Sequence, residues 1–192
     1  MDAARALFAE HGYAGAGREQ IVERAGVTRG AMYHYFASKE DLFRAAYEAV
    51  EADLNHVIAK AALAAGPDPV EQLRRGSLAL LDAAATPEVR RIVLIDAPSV
   101  LPFTVRRELA DRFGLGLLRA ALTAVEATGR LRTGPVEPLA HLLLAALHEA
   151  ATVVAEGGDR AEMARSVEGL LEVLCGSTAT LPPARTTYRR QS

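Results

Sequence analysis

The sequence is poor in the residues that usually staple or punctuate a small extracellular fold. It has one cysteine, no tryptophan, five tyrosines and five phenylalanines in 192 residues. A lone Cys175 cannot close an internal disulfide, which fits a reducing compartment. Flanked by Leu170, Leu171 and Leu174, it reads first as a small apolar filler and second as a redox-sensing thiol. There is no long alternation of β-branched residues, so a sheet is not expected to dominate. An excess of basic charge is also missing: 22 Lys and Arg stand against 24 Asp and Glu, a net −2. That excludes a protein that coats DNA by bulk charge alone, and any nucleic-acid reading must rest on a local patch and a motif. Met1 is followed by Asp2 and a helical pattern, not by the basic start and apolar core of a secretion signal. The most apolar run, 139–155, is interrupted by His141, His148 and Glu149, and is expected to be too short and too polar to span a bilayer. A soluble, cytoplasmic protein without a membrane partner is expected.

What is abundant is Ala and Leu, both good helix formers, in a chain that is 50% apolar. The expected fold is all-α. Residues 2–11 read as a first helix with Gly12 as its stop, and 13–17 as a glycine-rich turn. Residues 18–25 form a short second helix broken at Gly26, and Thr28 caps a third that reaches about Tyr35. Ser38 caps a long fourth helix, with Glu40 and Asp41 at the positive end of its dipole. Leu42, Ala46, Val50, Leu54, Val57 and Ala61 recur along it at helical spacing until Ala65-Gly66-Pro67. Further helices are expected at 70–85, 87–97, 102–128 with a bend near Gly114 and Gly116, 136–156 and 160–175. Residues 177–192 are expected to be a disordered tail.

The segment with most chemistry is Gly26-Val27-Thr28-Arg29-Gly30-Ala31-Met32-Tyr33-His34-Tyr35-Phe36. Two short helices flank a turn at Gly26, with Val27 expected to plug the space between them, as in a helix-turn-helix. In that motif the second helix enters the major groove. Arg29 can bond guanine or phosphate, and small Gly30 and Ala31 let the backbone come close, with the Ala31 methyl near a thymine methyl. Tyr33, His34 and Tyr35 can donate to phosphates, and Thr28 sits at a helix N-terminus facing them. Lys39 lies just beyond. A tyrosine-rich short helix can instead simply pack. At about 100° per residue, however, three successive rings on one short helix cannot all be core.

These residues, together with Leu7-Phe8-Ala9-Glu10-His11-Gly12-Tyr13 and Ser38-Lys39-Glu40-Asp41-Leu42-Phe43, resemble the DNA-binding domain of the tetracycline-repressor (TetR) family over about the first quarter of the chain. The resemblance implies three regions: a helix-turn-helix domain at 1–45, a helical ligand-binding and dimerisation domain at 46–176, and the tail. It implies a homodimer that binds a palindromic operator in double-stranded DNA and is released by a small-molecule effector. It places DNA contacts on Arg29, Gly30, Tyr33, His34, Tyr35 and Lys39, with Thr28 as the cap. Members often carry Thr or Ser where this chain has Ala16 and Gly17. That phosphate contact is then absent, and Arg18 is its expected substitute. The pattern also puts Met1 inside the first helix. Either the start lies upstream or DNA is bound with less electrostatic help.

The remainder resembles the family's regulatory domain by pattern alone. By that resemblance the helices at 136–156 and 160–175 form the dimer interface, through Leu143, Leu147, Val154, Leu170 and Leu174. Asp96 follows an apolar run and precedes Ala97-Pro98; it is either a helix end turned to water or a polar anchor in a pocket. A pocket is expected among Asp96, Phe103, Phe113, His141 and His148. Glu137, His141, His148 and Thr152 share a face, but not with the spacing of a strong metal motif, and no cofactor, metal or catalytic set is expected. Two alternatives stand beside the regulator: a helical dimeric module that has lost DNA binding, and a helical enzyme using the His141 and His148 face.

Overall fold

The computed structural model describes residues 1–176, and among them every regular element is helical. The order is α1 (Asp2–Gly15), α2 (Arg18–Ala25), α3 (Arg29–Tyr35), α4 (Lys39–Ala64) and α5 (Pro69–Ala83). A wide-turned segment π1 (Val89–Asp96) runs into α6 (Ala97–Val100); α7 (Phe103–Ala110) continues through a second such segment, π2 (Asp111–Leu115), into α8 (Gly116–Ala127). Then come α9 (Val136–Ala155) and α10 (Arg160–Cys175). The expected tail lies outside the described residues.

Local signals explain most boundaries. Ser38 accepts from the Asp41 amide at 2.9 Å, and the Asp41 carboxylate accepts from the Ser38 amide at 2.9 Å, so two orphan donors of α4 are satisfied reciprocally. Asp68 caps α5 ahead of Pro69, and Asp159 caps α10. Gly12 interrupts α1 with φ +68°, after which one more helical turn follows. Gly17 has no side chain with which to cap α2. Instead Gln20 reaches back to accept from the Gly17 amide at 2.8 Å.

The N-terminal helices close over an aromatic knot. Phe8 and Phe43 are fully buried; their rings meet edge to face at 5.1 Å, and Tyr13 meets Phe43 at the same distance. Helix α4 leaves this knot and runs unbroken into the body, where it packs chiefly on α5. The two helices approach closely at Gly76 of α5, where a Cβ would sit 3.4 Å from Ile58 of α4. Segment π1 is wedged between α1, α4 and α9. That surrounds it with apolar surface, and Ile92, Val93 and Leu94 are buried in succession. The expected bend near Gly114 and Gly116 appears as the wide turn of π2.

Helix α9 corrects one expectation. Its 20 residues are long and apolar enough, by length and composition, to cross a membrane. Here it packs against α5, α8, α10 and π1 and buries Leu139, Ala140, Leu143, Leu147, Ala150 and Ala151.

Candidate nucleic-acid interface and internal cavity

Helix α2 ends at Gly26, whose φ of +64° is the left-handed stop a side chain would strain. The chain then turns: the Val27 amide donates to the Val22 carbonyl at 3.3 Å. Thr28 takes an extended conformation, and its hydroxyl accepts from the Ala31 amide at 3.2 Å. The expected plug is not Val27, which is 46% exposed. The apolar positions sealed into this corner are Ile21 of α2 and Met32 of α3. Val27 fails because the αL residue before it turns its side chain outward.

Met32 is the one buried residue of α3. Thr28, Arg29, Gly30, Ala31, Tyr33, His34 and Tyr35 are all exposed, Tyr35 to 77%. Helix α3 is therefore a rod held by a single apolar peg, with its polar rings outside. Arg18 lies with its guanidinium 4.3 Å from the Tyr33 ring centroid and donates to the Ala37 carbonyl at 3.4 Å. Lys39 sits 4.6 Å from the Tyr13 ring centroid and donates to the Ala14 carbonyl at 3.4 Å; partial burial holds its ammonium below the usual lysine pKa. Of the site residues expected from the sequence, those on α3 and its cap are exposed, while Arg18 and Lys39 are half-buried, each laid over a tyrosine ring.

Two features set how that surface can bind. Arg29 is paired with Glu19 of α2, so a phosphate or base must displace a carboxylate to engage it. Residues 1–46 carry six basic and six acidic side chains. Non-specific attraction to DNA is correspondingly weak. Gly30 is the second feature. A Cβ there would meet nothing within 4 Å, and a glycine inside a helix costs about 1 kcal/mol relative to alanine. The fold of this chain gives no reason for the glycine.

The body encloses a cavity of about 370 Å³, in the range of small-molecule sites. It is walled by α4 (Tyr47, Glu51, Leu54, Ile58), α5 (Leu73, Ser77), π1 (Val93, Leu94), α7 (Phe103, Arg106), α8 (Leu117, Leu118) and α9 (His141, Leu144, His148). Phe103, His141 and His148 are among the expected pocket residues, and all three line it. Tyr47 donates to the Glu51 carboxylate at 2.9 Å. Burial pushes the Glu51 carboxyl above the usual carboxylate range. His148 is pushed below its ordinary value, first by burial and then by Arg106. The sequence reading missed Tyr47, Glu51 and Arg106. Tyr47 and Glu51 stand four apart beside the apolar stripe of α4, a legible spacing; nothing in the sequence brings Arg106 to them. Among the described residues no three His, Cys, Asp or Glu side chains gather as metal ligands.

Asp96 and Phe113 are corrections, since neither lines the cavity. Phe113 is half-buried against the core. Asp96 is neither in the pocket nor turned to water: its side chain is 12% exposed and accepts from the Tyr13 amide at 2.6 Å and from Arg91 Nε at 3.2 Å. It fastens π1 to the turn after Gly12. Arg91 also covers Gly12, where a Cβ would fall 2.1 Å from its guanidinium. Nearby, Arg5 of α1 bridges Glu88 at 2.5 Å and Asp53 of α4 at 2.7 Å. The reading head is thus held to the body by α4 and by a polar clasp on π1.

The expected dimer residues need the same correction. Leu143, Leu147, Val154 and Leu174 are buried in the subunit's own core, and of the five only Leu170 is exposed. Exposed residues of α9 include Pro138, Leu142, Ala146 and Glu149; those of α10 include Glu162, Arg165, Ser166, Gly169, Leu170, Glu172 and Val173. Leu142 is 69% and Val173 66% exposed. Both helices are apolar on two sides, so periodicity alone could not tell which side faces inward. Cys175 is buried, and burial raises its thiol pKa, as suits a filler.

Comparison with known proteins agrees with this architecture. The family described as "Bacterial regulatory proteins, tetR family" matches residues 1–46, and "Tetracyclin repressor-like, C-terminal domain" matches residues 70–177. The chain is 30% identical to the HTH-type transcriptional repressor AcnR of Corynebacterium glutamicum, over 91% of this chain and 86% of that protein. Other curated regulators are matched over less of their length; the chain spans 44% of one of them. Among solved structures, a TetR-family transcriptional regulator of Pectobacterium atrosepticum superposes with a TM-score of 0.79 at 30% identity, covering 92% of each chain. FadR of Bacillus subtilis, solved in complex with stearoyl-CoA, superposes at 0.72 with 20% identity, covering 92% of this chain and 96% of that one. At that identity the likeness is one of fold.

Proposed function

The chain belongs to the TetR family of transcriptional regulators, and from that premise we propose that it is a cytoplasmic repressor that grips a palindromic operator as a homodimer and lets go when a small molecule fills its cavity. The observation that carries the DNA-binding part is α3 itself: seven residues, one buried peg, and every polar ring exposed. Arg29, Gly30 and Ala31 lead it into the major groove. Tyr33, His34, Tyr35, Arg18 and Lys39 hold the backbone on either side, and the amides beside Thr28 face phosphate.

The homodimer reading rests on the outward faces of α9 and α10. We read the exposed Leu142, Ala146, Gly169, Leu170 and Val173 as one apolar strip on the pair. Small residues let a second copy approach closely, and such a strip left in water is a docking surface. A two-fold axis there gives each dimer two reading heads, which demands a palindrome.

Release follows from where the cavity sits. Its walls include α4 and π1, the two elements that fasten the reading head to the body. A ligand lodged between Glu51 and Val93 would press on both. It shifts the population only if it fits the non-operator arrangement better. The complex of FadR with stearoyl-CoA supports a ligand in a body of this fold. The alternative of a dimeric module without DNA binding draws on Ala16 and Gly17, but the Gln20 contact restores the start of α2. The enzyme alternative has no comparable support. His141, His148 and Ser77 line the cavity, the Ser77 hydroxyl donating to the Leu73 carbonyl, and among the described residues no metal-ligating cluster gathers.

Selection of duplexes from a randomised pool tests the reading. Enrichment of one palindrome, with half-sites about 34–36 Å apart, is the expected result. A pool that shows no enriched sequence contradicts it.

A further inference from the structure

Three observations bear on what the cavity takes. First, Arg106 is half-buried in the cavity wall and has no carboxylate partner among the described residues; its one hydrogen bond there is from Nε to the Leu101 carbonyl at 3.3 Å, which leaves both terminal nitrogens unengaged. Second, His148 lines the same cavity, and the charge of Arg106 is felt at its imidazole, so a further hydrogen-bond donor is available near the guanidinium. Third, much of the wall is aliphatic, with Leu54, Ile58, Leu73, Leu117 and Leu144 from four helices.

We propose that the cavity binds an amphipathic organic acid, its anionic head on Arg106 near His148 and its apolar body against the aliphatic wall. The inference rests on reading the cavity as the effector site and adds the ligand's chemical class. A guanidinium stays charged at every physiological pH, and the free terminal nitrogens of Arg106 are matched by no acceptor among the described residues until an anion arrives. A carboxylate offers it two parallel acceptors.

The acid that competes for the same cavity is Glu51, which alone would suggest a cationic ligand. Its setting argues otherwise. Tyr47 already donates to it, and burial favours its protonated form. A neutral carboxyl donates a hydrogen bond and does not attract an amine. Asp111 lines the cavity too but is exposed to solvent.

The test uses the full chain, without DNA, and three probes of equal length: decanoate, decanol and decylamine, each below its aggregation threshold. Calorimetric titration should show decanoate binding most tightly. Arg106→Gln should weaken decanoate about tenfold or more, the scale of a charged hydrogen bond, while leaving decanol within about twofold. An unchanged melting temperature for the variant, and unchanged operator binding, establishes that its fold survives. Preference for decylamine, or an Arg106→Gln variant that binds decanoate as well as the parent, overturns the proposal, as does binding of none of the three. Because binding is read without DNA, its outcome is independent of release. Decanoate that binds but leaves the operator complex intact would sustain the ligand class and count against effector control.

Discussion

The reading head and the cavity are opposite kinds of site. The head is nearly a linear object: apart from Arg18, its proposed contacts lie within residues 28–39, most of them on one short rod with a single buried residue. The cavity is assembled from eight elements, α4 to α9 with π1 and π2, spread over about a hundred residues of chain. A groove in DNA is met by a contiguous surface, so its chemistry is written in contiguous letters. A small ligand is enclosed, so its chemistry is distributed. The two sites are joined by α4, which begins at Lys39 in one and reaches Glu51 in the other, and by the Asp96 clasp.

If the head is a separable rod on a packed knot, substitutions in knot and rod should behave differently. Phe43→Ala removes a fully buried ring that contacts both Phe8 and Tyr13. It should cost about 3–5 kcal/mol, read by chemical denaturation, and take operator binding with it. A loss below about 1 kcal/mol would mean that the knot is not the foundation of the head. Asp96→Ala removes the acceptor of the Tyr13 amide and is expected to cost about 1–3 kcal/mol. Its diagnostic effect is on coupling: effector and operator should influence each other less, measured as the change in operator affinity at saturating ligand. Equal coupling in parent and variant would assign the whole connection to α4.

Gly30→Ala gives the sharpest contrast because its two effects have opposite signs. With nothing near the added methyl, the helix should gain about 0.5–1 kcal/mol. Operator affinity should nevertheless fall, since the methyl stands where the backbone approaches DNA. A variant that is more stable and binds just as well would show that the glycine is incidental. Lys39→Ala should weaken all duplexes alike and flatten the salt slope by about one unit. Arg29→Ala should relax preference at one base position, after allowance for the freed Glu19.

The smallest effect belongs to the cavity. Burial raises the native Glu51 pKa above its unfolded value, so the native state holds the proton more firmly and loses stability as pH rises from the unfolded pKa through the native one. Glu51→Gln escapes this loss. Its melting temperature should match the parent near pH 4 and exceed it increasingly toward neutrality. A difference that is flat with pH would mean that Glu51 is solvated.

The same contrast explains what could be read before the fold was known. The all-helical class, the boundaries at Ser38, Gly26 and Gly66, and the exposed face of α3 follow from local rules: caps, breakers and the limit on how many successive residues a short rod can bury. Val27 was misread because a plug depends on which way the turn at Gly26 aims the next side chain. Leu143 and Leu147 were misassigned to a dimer face because α9 is apolar on two sides, and only the packing of α8 and α10 shows which is inward. Asp96 was misplaced because its partner, the Tyr13 amide, is 83 residues away in sequence. Arg106 carried no signal at all; an arginine on an exposed-looking helix becomes a cavity residue only through the path of the chain around it.

The central claim is that two copies of α3 lie in successive major grooves on one side of a duplex. Hydroxyl-radical footprinting of the selected operator tests this directly. The account predicts two protected patches on one face, about one helical turn apart, both lost in Tyr33→Ala while the melting temperature holds. A single patch, protection spread round the helix, or a footprint indifferent to Tyr33 would contradict it.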